Sequence, residues 1–87
     1  MKTFSLTVSS PDGDIFKGDV LAVSLRGSEG DLAIMAGHIP FITAIKAGKI
    51  KIELEDEDKT AETDGGILNV TADSVRILSG SFRFIEE

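Results

Sequence analysis

The sequence predicts an all-β fold, a β-sandwich or a flattened barrel of about eight to ten short strands. Apolar and polar residues alternate in several short runs, a spacing typical of strands that bury one face. Turn-forming residues such as Pro-Asp-Gly and Gly-Gly separate these runs at short intervals. No stretch of about a dozen residues keeps the i, i+3, i+4, i+7 spacing of an amphipathic helix.

The amino-terminal part predicts a strand, a turn and a second strand pattern. Three alternating apolar residues predict the first strand: Phe4, Leu6 and Val8. Ser10-Pro11-Asp12-Gly13 then fits a type I turn, with proline at the second position and glycine at the fourth. The alternation resumes on a later strand at Leu21, Val23 and Leu25. Phe4, Phe16 and Phe41 are predicted core residues.

The segment 27–40 combines two glycine-bounded turns with one short apolar strand between them. Its second turn holds the only histidine, His38, between Gly37 and the Ile39-Pro40 pair. Chains commonly carry such turn chemistry on a surface against which another molecule docks. A simpler role for His38 remains open, in which its ring hydrogen-bonds a nearby backbone group.

The carboxyl-terminal half continues the strand-and-turn pattern. Strands are predicted around alternating apolar residues: Ile50, Ile52 and Leu54; Val75 and Ile77; Phe82 and Phe84. Lys46-Ala47-Gly48 and Ala72-Asp73-Ser74 are predicted turns, and Asp64-Gly65-Gly66 supplies the positive φ angles of a hairpin. Glu55-Asp56-Glu57-Asp58-Lys59 is too highly charged to be buried and predicts an exposed hairpin tip.

Composition predicts one small domain spanning residues 1–87. The net charge of −6 disfavours nucleic acid and anionic lipid as partners and suits a partner with basic loops. The chain has no cysteine, no apolar run long enough to cross a membrane and no signal-peptide pattern at its start. We therefore expect a protein of a reducing compartment that does not insert into lipid.

Motifs for chemistry are missing from the sequence. Gly48-Lys49 has neither the preceding glycine nor the following Ser or Thr of a phosphate loop. One histidine without cysteine does not make a usual zinc site, and the acidic residues 53–58 lack the order of a calcium loop. We predict no catalytic residue, no metal site and no cofactor.

Five blocks of sequence resemble the epsilon subunit of F-type ATP synthases, called delta in mitochondria, in the order and spacing of that family. The blocks are Thr3-Phe4-x-Leu6-x-Val8 with Pro11-x-Gly13-x-x-Phe16-x-Gly18-x-Val20; residues 27–40; Thr43-Ala44-Ile45-Lys46-x-Gly48-x-Ile50-x-Ile52; Gly65-Gly66-x-Leu68-x-Val70; and Val75-x-Ile77-Leu78. The resemblance implies a ten-stranded β-sandwich of two five-stranded sheets. It also implies that the two-helix hairpin that follows in most members is missing here, and with it helix-mediated inhibition and an ATP site.

The resemblance implies two sets of contact residues. Positions matching Ser10, His38 and Thr43 lie against the gamma subunit in the family. The loop that matches Arg26, Ser28, Glu29, Gly30 and Asp31 faces the polar loops of the membrane c-ring, which carry a basic residue. Two carboxylates on a short glycine-flanked loop complement that charge.

The function implied is that of a non-catalytic central-stalk subunit. It would bind gamma and the c-ring and couple ion-driven rotation to ATP synthesis, on the cytoplasmic side of the bacterial membrane. Two alternatives remain open. One is a free-standing β-sandwich adaptor, since fold alone does not fix function. The other is a lipoyl or biotinyl carrier domain that presents Lys59 on an exposed hairpin.

Overall fold

A computed structural model describes residues 2–85, so Met1 and the last two residues of the predicted domain lie outside the described part. It contains ten β-strands, which confirms the predicted all-β class. The strands are β1 (Phe4–Ser10), β2 (Gly13–Val20), β3 (Ala22–Gly27), β4 (Gly30–Met35), β5 (Phe41–Ile45), β6 (Gly48–Glu53), β7 (Asp58–Thr63), β8 (Gly66–Val70), β9 (Ser74–Leu78) and β10 (Phe82–Ile85).

The strands form two five-stranded layers. The first sheet has the order β4-β3-β6-β7-β10, and the second has the order β5-β8-β9-β1-β2. One residue pair at a corner, Gly27 with Ile45, joins β3 to β5 and makes the hydrogen-bonded path continuous. At the other end of the path Phe16 on β2 and Phe84 on β10 approach each other, with ring centroids 5.9 Å apart. Neighbouring strands are antiparallel except β1 and β9.

The core lies between the two sheets and is built from the alternating residues. The largest fully buried side chains are Leu6, Val8, Val20, Val23, Ile50, Ile52, Leu68, Val70, Val75 and Ile77. Phe4 is buried and Phe16 is half-buried against the core, as predicted. Phe41 is 37% exposed, so its prediction as a core residue is wrong. It begins β5, the strand that forms one border of the second sheet.

The connections confirm most predicted turns and correct one. β8 and β9 form a hairpin closed by the Thr71 N–H, which donates to the Ser74 carbonyl at 2.8 Å. Gly65 and Gly66 have the predicted positive φ angles of 119° and 156°. They do not close a hairpin, however, because β7 pairs with β6 and β10 whereas β8 pairs with β5 and β9. The glycine pair instead carries the chain from one sheet to the other.

Candidate partner-binding surfaces

The β3–β4 hairpin projects the residues predicted to meet the c-ring. Gly27 pairs with Gly30, so Ser28 and Glu29 form a two-residue loop at the tip. Gly30 has a φ of 134°, and this loop of the hairpin requires a residue that tolerates such a value. Both loop residues and the glycine after them are exposed. The short loop therefore presents its side chains without burying them.

A single ion pair stands at the base of this tip. Arg26 Nε lies 3.6 Å from Asp31 Oδ1, and the two side chains are 64% and 86% exposed. Pairs as exposed as this contribute roughly 0.2–1 kcal/mol in water. A basic group from another molecule could therefore replace Arg26 beside Asp31 at little energetic cost, while Glu29 adds a second exposed carboxylate.

The hairpin tip is fastened to the edge of the second sheet. The Ser28 N–H donates to the Ala44 carbonyl at 3.1 Å, and the Lys46 N–H donates to the Arg26 carbonyl at 2.9 Å. The hydroxyls of Ser28 and Thr43 are 3.2 Å apart. A residue predicted to contact the c-ring thus touches one predicted to contact gamma. The two predicted contact regions meet along β5.

The outer side of the second sheet carries an apolar face formed by Ile42, Ala44, Ile67 and Leu78. Ala44 pairs with Ile67, and Ile67 pairs with Leu78, so these three form a row across β5, β8 and β9. Ile42 is 70% exposed, Ile67 48% and Leu78 45%. Adjacent exposed apolar side chains of this kind mark contact surfaces more often than isolated ones do.

The three residues predicted to contact gamma do not form one cluster on this face. Ser10 ends β1, and its hydroxyl accepts the Asp12 N–H and donates to the Gly13 carbonyl, both at 3.2 Å. His38 lies near Phe4, at the opposite end of β1. Thr43 pairs with the buried residue Leu68, so its side chain lies on the other side of the sheet from Ile42. Ser10 therefore shapes its own turn, and Thr43 faces the hairpin tip.

Sequence reasoning missed the apolar face, although a signal for it exists. In a strand with one buried side, successive side chains point alternately inward and outward. Two consecutive apolar residues therefore place one apolar side chain on the outer side. Such pairs occur at Phe41-Ile42, Ile67-Leu68 and Ile77-Leu78. Each pair belongs to β5, β8 or β9. These three pairs were the available evidence for the face.

The structure also bears on the predicted position of Lys59 and on metal binding. Lys59 lies in β7 opposite Ile52, and not at the tip of the β6–β7 loop as predicted. Its Nζ is 5.5 Å from the centroid of the Phe84 ring. Within residues 2–85 no three His, Asp or Glu side chains gather where they could hold a metal ion. The same part of the chain includes no helix with the length and apolar character needed to span a bilayer.

One carboxylate has a shifted pKa. The Arg83 Nη2 donates to Glu62 Oε1 at 2.8 Å across the β7–β10 pair. This hydrogen bond, together with the charge of Arg83, holds the pKa of Glu62 below its usual range. Both side chains lie on the outer side of the first sheet, away from the apolar face on the second sheet.

Comparisons with known proteins agree on one family. The family model described as "ATP synthase, Delta/Epsilon chain, beta-sandwich domain" matches residues 3–84. The ATP synthase epsilon chain of Bacillus velezensis is 37% identical over 79 residues, covering 91% of this chain and 60% of that protein. The epsilon chain of Priestia megaterium is 33% identical over 87 residues, covering 100% of this chain and 65% of that protein.

Solved structures show the same fold. A chain in the cryo-EM structure of the Euglena gracilis mitochondrial ATP synthase, OSCP/F1/c-ring in rotational state 1, matches with a TM-score of 0.90 at 25% identity, over 98% of this chain and 55% of that one. A chain of the Tetrahymena thermophila mitochondrial ATP synthase central stalk and c-ring matches with a TM-score of 0.79 at 17% identity, over 93% and 66%. This chain thus spans about 60% of the length of the bacterial relatives it matches.

Proposed function

The chain belongs to the ATP synthase delta/epsilon chain family, in its beta-sandwich domain, and from this premise we propose that it is a central-stalk subunit of a rotary ATP synthase. In this role residues 1–87 act as one β-sandwich unit that binds the gamma subunit and the c-ring. The unit helps gamma turn with the ring and does no chemistry itself. It works on the cytoplasmic side of the bacterial membrane, without inserting into lipid and without binding nucleic acid.

The apolar face carries the proposal for gamma. A face of Ile42, Ala44, Ile67 and Leu78 gains free energy when a partner removes it from water, about 25 cal/mol for each Å² of apolar surface buried. Ser10 and His38 flank the face at opposite ends of β1. Gamma docks across β5, β8 and β9 and meets polar groups at the rim, as interfaces with an apolar centre generally do.

The β3–β4 hairpin supports the proposal for the c-ring. Glu29 and Asp31 are exposed carboxylates on a short loop whose backbone is hydrogen-bonded to β5. A basic residue on a ring loop would meet both charges, and Arg26, Ser28 and Gly30 would complete the contact. The energetic gain from exposed charges is small, so their effect is on orientation and register more than on affinity.

The gamma proposal is tested by mixing the purified chain with the gamma subunit of the same organism and separating the mixture by size exclusion. We expect a stable one-to-one complex. Ile67→Glu places a charge in the apolar face and should weaken the complex at least tenfold, the loss of a well-buried contact. Thr60→Glu is the matched control, because Thr60 lies on the outer side of the first sheet opposite Lys51.

Two outcomes would contradict the proposal. If both proteins are folded and form no complex, the domain is better described as a free-standing β-sandwich adaptor. If Ile67→Glu and Thr60→Glu weaken the complex equally, gamma docks elsewhere on the molecule. Circular dichroism of each variant shows whether the sheet is intact before binding is compared.

A further inference from the structure

Arg76 is the only charged residue on the three strands that carry the apolar face. Strands β5 and β8 contain no charged residue, and β9 contains this one arginine. The whole chain has 15 acidic and 9 basic residues, so a negative charge would be the commoner one on any strand. The charge on this face is nevertheless positive, which makes the face unlike the rest of the acidic surface.

Arg76 stands at the centre of the outer side of the second sheet. It is the middle residue of β9, and β9 is the middle strand of the order β5-β8-β9-β1-β2. Val75 and Ile77 on either side of it are buried in the core, so the arginine side chain points to the outer side. The residue is exposed there. A partner that covers the middle of this sheet therefore covers the guanidinium as well.

The arginine adjoins the apolar face directly. It pairs with Asn69 on β8 and with Thr7 on β1, both of which are polar and uncharged. Leu78 lies two residues further along β9 on the same side of the sheet and pairs with Ile67. Neighbours at this spacing are within reach of a long side chain. The guanidinium and the exposed apolar side chains thus form one continuous surface.

The guanidinium of Arg76 has no carboxylate partner among residues 2–85. The three ion pairs of this part of the chain involve other basic residues. The acidic residues on the strands of the second sheet are Asp14 and Asp19, and both belong to β2, two strands away from β9. The donors of Arg76 are therefore available to a group from another molecule.

A partner that buries the apolar face must supply an acceptor for this cation. Burying a guanidinium without one is costly, because the cation loses its hydration and gains no hydrogen bond in return. A carboxylate matches the planar donor group of arginine and can accept two parallel hydrogen bonds from it. Arginine is accordingly enriched among the residues that dominate binding in interfaces. A surface that lacks such an acceptor is disfavoured by the same residue.

We propose that Arg76 is a specificity-determining residue for the gamma subunit, and that the segment of gamma covering Ile67 and Leu78 presents a carboxylate that pairs with the Arg76 guanidinium. The surface that gamma brings is then apolar around one Asp or Glu. An apolar surface without the carboxylate, or with a basic residue in its place, binds poorly. This inference rests on the proposed docking of gamma and names the chemistry of the surface that docks.

The first experiment compares the affinity of gamma for the wild type, Arg76→Glu and Arg76→Gln. Arg76→Glu sets two carboxylates against each other and should weaken binding at least tenfold, whereas Arg76→Gln keeps a donor without the charge and should weaken it about three- to tenfold. Lys49→Glu is the matched control on the outer side of the first sheet, next to buried Ile50. Like Arg76→Glu it moves the net charge by −2, from −6 to −8, and it should change binding less than about twofold.

The second experiment identifies the carboxylate. In the complex of gamma with Arg76→Lys, a water-soluble carbodiimide joins the introduced amine to a carboxylate that touches it, through an amide bond. Mass spectrometry of the digested complex should find position 76 linked to one Asp or Glu of gamma, and Lys49 linked to none. Replacing that gamma residue by arginine should then restore binding of Arg76→Glu at least tenfold, a rescue that a purely structural role of Arg76 would not give.

Equal affinities of Arg76→Glu and Lys49→Glu, together with a complex that Ile67→Glu does weaken, would overturn the role of Arg76 and leave the docking of gamma in place. A complex of Arg76→Lys whose introduced amine is linked to no carboxylate of gamma would also overturn it. If Arg76→Glu does not fold, as circular dichroism would show, Arg76→Gln and the amide link decide the question. A folded wild type that does not bind gamma at all would overturn the proposed function and this inference together.

Discussion

At the scale of single residues, Gly66 is the glycine at which an added Cβ would make the closest contact. Its φ is 156°, and a Cβ built on it would overlap the carbonyl oxygen of Leu78 on the paired strand β9. A side chain would therefore push β8 and β9 apart at the point where the chain crosses between the sheets. Backbone oxygens cannot rotate away as a flexible side chain can, so the strain has no inexpensive relief.

We expect Gly66→Ala to lower the free energy of unfolding by about 2–4 kcal/mol. Gly80→Ala is the matched control, because its φ is not positive and no atom lies within 4 Å of the added Cβ. That control should change the free energy of unfolding by less than about 0.5 kcal/mol. Urea unfolding followed by circular dichroism measures both, and similar values for the two variants would contradict the close approach at Gly66.

The Arg83–Glu62 pair predicts a measurable titration. Arg83→Gln removes the guanidinium, and with it the positive charge and the charged donor that lower the pKa of Glu62, so that pKa should rise towards its usual range. Because the pKa is depressed in the folded chain, the pair stabilises folding above the ordinary pKa of glutamate. That contribution is lost as the pH falls through the folded value. Carbon-13 titration of the Glu62 carboxyl measures the shift.

Lys51→Gln provides the comparison for this titration. It removes a different surface ion pair, with Asp58 at 3.6 Å, and Lys51 is not among the groups that shift the pKa of Glu62. The titration of Glu62 should be unchanged in that variant. A Glu62 pKa that stays low in Arg83→Gln would mean that another donor holds the carboxylate.

At the scale of elements, a buried hydroxyl pair ties the end of β7 to the β9–β10 connection. Thr63 and Ser79 are both buried, and their hydroxyl oxygens are 2.8 Å apart. The Ser79 hydroxyl oxygen also lies 2.8 Å from the Gly65 carbonyl oxygen and accepts the Ser81 N–H at 3.2 Å. These bonds satisfy polar groups that water does not reach, beside the glycines where the chain leaves the first sheet.

Ser79→Ala should therefore lower the free energy of unfolding by about 1–3 kcal/mol, because it leaves buried polar partners unsatisfied. Ser81→Ala is the control, since Ser81 is exposed and its bonds use backbone atoms. It should change stability by less than about 0.5 kcal/mol. Thermal unfolding of both variants tests the claim, and a Ser79→Ala variant as stable as Ser81→Ala would show that water already reaches this site.

The strands could be predicted from sequence more reliably than their partners. Alternation at Phe4, Leu6 and Val8 predicts β1 because the period of two is a local property of an extended chain. The Gly65-Gly66 pair predicts a hairpin from sequence, because two adjacent glycines permit positive φ angles but do not specify which strands they connect. Which strands the connection joins depends on contacts made by β6, β9 and β10, and these are set by burial across the whole sandwich.

At the scale of the whole molecule, the same contrast holds for the candidate site: its residues can be identified from sequence, but the residues that they contact cannot. The sequence identifies His38 by its unusual turn, and Glu29 and Asp31 by their glycine-flanked loop. The Nε2 atom of His38 lies 2.7 Å from the carbonyl oxygen of Thr71, 33 positions away along the chain, so no local pattern could indicate this contact. The meeting of Ser28 with Thr43 is likewise produced by the corner between β3 and β5. Residues were predictable here, and their neighbours were not.

The two proposed contact regions share one hydrogen-bonded connection, so the hairpin tip provides a test of the whole proposal. The tip is fastened to β5 by backbone hydrogen bonds from Ser28 and Lys46, and β5 carries part of the apolar face. If gamma holds the face and the ring holds the tip, torque passes from one to the other through this corner of the sandwich. Reversing the charge of the tip should then reduce coupling without unfolding the domain.

We expect Glu29→Lys with Asp31→Lys to reduce ATP-driven proton pumping in membrane vesicles, while binding of gamma stays unchanged. Glu55→Lys with Asp56→Lys is the matched control, since each double variant moves the net charge by +4, from −6 to −2, and the control alters only the distant β6–β7 loop. Exposed pairs contribute roughly 0.2–1 kcal/mol each, so the loss should be partial and should grow at low salt, where repulsion between like charges is least screened. Equal pumping by the two double variants would mean that the c-ring does not interact with the charges of the hairpin tip. The apolar face would then be the contact that links this domain to rotation.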